Sequence, residues 1–217
     1  MNKSLIVSCR LFFICYMILT YLFSEVYHFM LLNILLAYIP FELSIWLSRK
    51  KRPFIVFALV SVVWLVFYPN APYLLTDFFH LQDLGMKDVA SGQFKMNVYI
   101  WFQFFILLLG IFYGLFIGFR SLETMLREWM NRLKINSYVS YFTILLIITL
   151  LTSYGIYLGR FVRLHTIYLV TKPIVSIHEM FSVFSSSFFI FISIFTGLQL
   201  FVFILYSGLI SSENKIK

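Results

Sequence analysis

Asp77 and His80 stand three residues apart in Tyr73-Leu74-Leu75-Thr76-Asp77-Phe78-Phe79-His80-Leu81. On a helix that spacing makes neighbours of the two side chains. A carboxylate beside an imidazole supplies an acid–base pair or two ligands for a divalent metal, the candidate cofactor. His165 is the candidate third ligand, because His28, His80, His165 and His178 all fall on, or within a turn of, one side of the apolar segments. Glu25 precedes His28 by three residues and Glu179 follows His178, so further acids are available to such an ion. A blander reading fits the same residues: polar side chains collect in loops, Asp-x-x-His alone is a weak metal signature, and the pair then only solvates one side of an interfacial helix.

Arg160 and Arg163 form the second constellation, one turn apart where an apolar run ends. Guanidinium groups suit bidentate contact with carboxylate or phosphate; snorkelling to lipid headgroups is the competing explanation. Asn70 and Tyr73 join them as anion-binding candidates. Pro69 and Pro72 disfavour helix at Tyr68 and Ala71, so a break is expected in Tyr68-Pro69-Asn70-Ala71-Pro72. Pro72 suits the first turn of a new helix, Asn70 is placed to accept from its free amides, and Gly85 is a natural stop. The positive end of such a helix, aimed at a poorly solvated space, favours an anion. At 3.6 residues per turn, Leu74, Leu75, Phe78 and Leu81 share one side, with Thr76, Asp77, His80 and Asp83 on the other.

The elements that must position these residues follow from composition. The chain is 61% apolar and 12% charged, half the roughly 25% charge of a soluble domain, so lipid is its main solvent. Its net charge of +8 lies in short runs between apolar stretches and forms no basic face, which argues against a nucleic-acid partner. Six segments are long and apolar enough to span a bilayer, at about 5–23, 29–47, 54–68, 96–119, 138–158 and 184–210. The fold class is therefore all-α: a single polytopic transmembrane bundle over 1–217, with a short interfacial or re-entrant helix at about 72–84. No small-x-small cleavage site follows the first apolar run, which reads as a retained span.

Twelve of the seventeen Lys and Arg residues fall at the termini and in the loops after spans two and four. The positive-inside rule then places both termini in the cytoplasm, in a bacterial cytoplasmic membrane, and the histidines outside. Gly110, Gly114 and Gly118, and likewise Gly155 and Gly159, repeat every four residues and predict flat stripes for close helix packing. Cys9 and Cys15 point to different faces of one helix and read as packing residues. Arg10 and Glu42 read as a structural pair near the cytoplasmic side.

Two stretches, Phe67-Tyr68-Pro69-Asn70-Ala71-Pro72-Tyr73 with Thr76-Asp77 and His80-Leu81, and Gly155-Ile156-Tyr157-Leu158-Gly159-Arg160-Phe161 with Arg163, carry a family resemblance. The chain resembles, over spans two to six, the bacterial membrane proteins grouped as domain of unknown function thirteen-sixty-one. The resemblance implies the architecture and no particular activity. It also marks departures. Gln103 stands in Trp101-Phe102-Gln103 where the family usually has an acid, and Leu164-His165-Thr166-Ile167-Tyr168 replaces its usual Asn-Ser-Trp-Asp. Two absent acids weaken a metal centre, with His165 as partial compensation.

Three functions fit. The first is a scaffold or accessory subunit of an envelope complex, with an outer-face pocket for an anionic headgroup or a membrane-protein partner. The second is a membrane enzyme acting on an anionic lipid or lipid-linked substrate at the outer leaflet. The third is a small transporter, disfavoured because neither a repeat nor midplane polar residues are evident.

Overall fold

The structure is a computed structural model that describes residues 3–88, 91–164 and 171–213. The described residues contain no strand, only an isolated bridge between Lys87 and Phe94. The helices are α1 (Lys3–Phe23), α2 (Phe29–Arg49), α3 (Phe54–Phe67), α4 (Asn70–Tyr73), a 3-10 segment (Leu74–Leu84), α5 (Val98–Leu133), α6 (Tyr138–Tyr157) with a π turn (Leu158–Val162), α7 (Pro173–Phe181) and α8 (Ser186–Glu213). Among the described residues six helical stretches are long and apolar enough to cross a membrane, as the sequence predicts. The chain is an integral membrane protein built as a helical bundle.

Helices α2 and α5 form its spine. Met30, Ile34, Ala37 and Phe41 of α2 and Ile106, Leu107, Ile111 and Ile117 of α5 are all fully buried. The helix α5 spans 36 residues, about 54 Å at ~1.5 Å per residue, against a hydrocarbon core of about 30 Å. The basic stretch after residue 119, expected between spans, is therefore helix that runs on beyond the lipid.

The two glycine stripes have a common client. A Cβ at Gly114 would lie 2.0 Å from Leu74 Cδ1, and one at Gly118 would lie 2.5 Å from Ala71 Cβ. On α6, a Cβ at Gly155 would meet Pro69 at 3.1 Å, and one at Gly159 would meet the Tyr73 ring at 3.5 Å. The segment from Pro69 to Leu74 is thus seated between two flattened helix faces, the close approach that small residues permit.

That segment departs from the expected break. Tyr68 and Pro69 keep right-handed helical dihedrals. The Tyr68 amide donates to the Trp64 carbonyl at 2.8 Å and the Tyr73 amide to the Pro69 carbonyl at 2.9 Å. Helical hydrogen bonding runs on while pitch changes, so residues 54–84 form one continuous apolar helical rod. Proline leaves carbonyls short of donors, and Asn70 repairs one of them: its Nδ2 donates to the Phe67 carbonyl at 2.8 Å. Asn70 therefore serves the helix before it and caps no helix after it. Gly85 ends the rod in the left-handed region at φ +53°, a conformation glycine takes without cost.

At the end carrying residues 49–53 and 120–137, here the basic end, ion pairing is thorough. Arg10 donates to both Glu42 oxygens at 2.8 and 2.6 Å, and the Tyr38 hydroxyl also donates to Glu42. Glu123 accepts from Arg120 at 2.7 Å and from Arg127. Cys9 is buried and Cys15 exposed, neither in a disulfide.

Candidate functional site

The opposite end carries His28, His80 and His178. There Asp77 is 1% exposed, although a 3.6-residue period assigned it to a water-facing side. The cause is pitch. In a 3-10 helix, side chains at i and i+3 eclipse, so Leu74, Asp77, His80 and Asp83 stand in one line. Along that line burial falls steadily, from Leu74 and Asp77 inside, through half-buried His80, to exposed Asp83. The buried carboxylate is held from two helices. Asn33 of α2 donates from Nδ2 to Asp77 Oδ2 at 2.8 Å, and Arg160 of the π turn places Nη1 3.7 Å from Asp77 Oδ1.

Arg160 reaches this point because α6 widens into the π turn, a feature frequent at functional sites. Gly159 packs beside the Tyr73 ring, and the Tyr73 hydroxyl lies 3.5 Å from Arg160 Nη1. The guanidinium carbon is also 6.0 Å from the Tyr73 ring and 5.8 Å from the Phe79 ring, within cation–π range. The Arg160 side chain is 24% exposed. Arg163 follows in the left-handed region at φ 58°, where the Leu164 amide closes the helix end onto the Leu158 carbonyl at 3.0 Å. Its exposed side chain has no partner among the described residues.

His80 belongs to a separate pair. Its Nδ1 lies 2.9 Å from Asp83 Oδ2, and its ring centroid is 4.5 Å from that of Phe29. The Tyr27 hydroxyl donates to the His80 carbonyl at 3.1 Å. Burial, with the Asp83 carboxylate nearby, pushes the Tyr27 phenol up to about 12, so it remains a donor throughout the physiological range. Of the candidates read from sequence, the fold brings together Asp77, Arg160 and Tyr73, turns His80 toward Asp83, commits the Asn70 amide to the backbone, and leaves Arg163 on the surface. His165 lies outside the described residues. Among those described, no group of three His, Cys, Asp or Glu side chains is close enough to hold a metal ion.

Asn33 went unnoticed in the sequence, yet it had a signal. It is a polar residue inside the apolar run Leu31-Leu32-Asn33-Ile34-Leu35, and polar groups within a span need an internal partner. Gln103 is fully buried: its Oε1 accepts from Ser24 at 2.6 Å and its Nε2 donates to the Phe23 carbonyl at 2.8 Å. An ionised Asp has no donor for that carbonyl, so Gln103 serves here as a clamp on the link that carries Tyr27.

The model of a family described as "Protein of unknown function (DUF1361)" matches residues 32–202. The chain belongs to this family. No curated protein and no solved structure matches the chain. The stretch that follows the DUF1361 pattern takes in Asn33, Tyr73, Asp77, His80 and Arg160, and leaves α1 and Tyr27 outside it.

Proposed function

We propose that this DUF1361 protein is an accessory membrane protein whose histidine-bearing end faces away from the cytoplasm and recognises an anionic headgroup through Arg160. The charge asymmetry supports the orientation, since the basic end carries most of the Lys and Arg residues. The observation that carries the binding role is the looseness of Arg160. Its contacts to Asp77 and Tyr73, at 3.7 and 3.5 Å, exceed the roughly 2.7–2.9 Å of a strong charge-assisted hydrogen bond. Asp77 holds the guanidinium in place without consuming its donors, and a phosphate or carboxylate oxygen is their natural acceptor. Arg163, one turn on, adds a further charge that has no partner among the described residues.

A second reading, a membrane enzyme, has one specific support. The Asp83 carboxylate orients the His80 ring as a general base is oriented. A metal-dependent version would need His165 or another ligand beyond Asp77 and His80.

The test uses Phe79, which is 67% exposed and packed beside Arg160. A photo-reactive benzophenone amino acid placed at that position, in reconstituted protein, reports capture of phosphatidic acid. We expect Arg160→Gln with Arg163→Gln to lower capture tenfold or more, since a hydrogen bond to a charged group contributes about 1.5–3 kcal/mol. Unchanged capture in the folded double variant would refute the headgroup role.

A further inference from the structure

The basic end holds a concavity that the site above does not use. Two separated segments converge on it: Lys50, Lys51 and Arg52 from the link between α2 and α3, and Arg132 and Lys134 from the end of α5. They line a groove of about 570 Å³ whose acid is Glu128, within the usual range of about 300–1,000 Å³ for ligand sites. Membrane topology accounts for basic residues on this side; it does not account for their gathering around one hollow.

The way these cations are held sets them apart from their neighbours. Arg10, Arg120 and Arg127 each bind a carboxylate. Arg52 and Arg132 have none among the described residues. Arg52 stacks over the Trp46 ring at 3.9 Å and Arg132 over the Phe57 ring at 4.3 Å. Arg132 also donates to the Arg52 carbonyl at 2.6 Å, which ties the two walls together. Aromatic faces and a carbonyl fix the guanidinium groups without cancelling their charge. Lys134 is kept in the left-handed region at φ 53°, where glycine would be the easy choice. Phe54, 66% exposed, adds an apolar side chain to the rim at the start of the span α3. A concave cluster of five cations with one acid, beside an exposed apolar side chain at the end of a span, fits an anionic headgroup attached to acyl chains.

We propose that this groove is a binding site for the phosphate headgroup of an anionic phospholipid. Full-length protein with a benzophenone amino acid at the Phe54 position is reconstituted in vesicles of phosphatidylglycerol or of phosphatidylcholine, and lipid capture is measured. Phosphatidylglycerol should be captured preferentially. Lys50→Gln with Lys134→Gln should reduce that capture about tenfold. Lys3→Gln with Arg49→Gln, which removes equal charge from the adjacent hollow, should change it less than about twofold. Lys50→Arg with Lys134→Arg should retain it, which separates loss of charge from loss of fold. Excess inorganic phosphate should leave most capture intact. Equal capture of both lipids, equal loss in both Gln pairs, or displacement by inorganic phosphate alone would each overturn the assignment.

Discussion

The two ends of the bundle treat a buried carboxylate in opposite ways. At the basic end Glu123 is shared by two arginines at hydrogen-bonding distance. At the histidine end Asp77 is more deeply buried, yet its arginine stands off at 3.7 Å and its one short bond comes from a neutral amide, Asn33. Glu123 behaves as a fastener: each of its two oxygens accepts a short bond from a different arginine. Asp77 behaves as a locator, neutralising and aiming Arg160 while leaving the guanidinium's donors open. What separates a structural ion pair from a candidate site here is the closeness of the pairing, since depth alone would rank them the other way.

That contrast can be broken by stability and lipid capture measured together. The largest loss is expected at Glu123→Ala, about 3 kcal/mol, because the largely buried Arg120 loses its counter-charge, while the exposed Arg127 is screened by solvent. Thermal denaturation in detergent should show it, while capture of phosphatidic acid from the Phe79 position stays as in wild type. Asp77→Ala should cost less, about 1–3 kcal/mol, mainly for the Asn33 amide left without an acceptor. Its effect on capture should be the greater of the two, since Arg160 loses its guide. If Glu123→Ala impaired capture as much as Asp77→Ala, the division between fastener and locator would fail.

A smaller effect sharpens the role of the glycine stripes. Gly118→Ala puts a methyl 2.5 Å from Ala71 Cβ, where no flexible side-chain end can give way. An overpacking cost of about 1–3 kcal/mol is expected, together with reduced capture, because the displaced rod carries Asp77. Gly197→Ala meets nothing within 4 Å and should be neutral, or stabilising by up to about 1 kcal/mol. Equal behaviour of the two variants would mean that the stripe does not seat the rod.

Much of this arrangement was legible in the sequence, and the misses share a cause. Spans announce themselves through the length and apolarity that lipid demands, as with α2 or α8. Gly85 was readable because few other residues end a helix in the left-handed region. The path of residues 68–84 was not readable, because each proline rule is local. The rules place a break at Tyr68 and Ala71, whereas the segment, packed against Gly118 and Gly155, stays helical and takes up the conflict in pitch. The change from 3.6 to about 3 residues per turn then moved Asp77 from the predicted wet side to the interior. The loop expected after span four was helix for a related reason: Arg120 and Arg127 look like the edge of a membrane until Glu123 pairs them. Asn33 was visible as a lone polar residue in an apolar run, but its partner lies 44 positions away, a distance no local pattern encodes.

The most direct test of the account is a single substitution, Arg160→Lys, read by phosphatidic acid capture from the Phe79 position in reconstituted protein. Lysine keeps the charge and can snorkel, but it lacks the planar fork that Asp77 aims. If Arg160 recognises a headgroup through its open donors, capture should fall about tenfold, the equivalent of one lost charge-assisted hydrogen bond, while the protein stays folded. Full capture by the lysine variant would contradict that claim and reduce Arg160 to a nonspecific anchor in the headgroup layer.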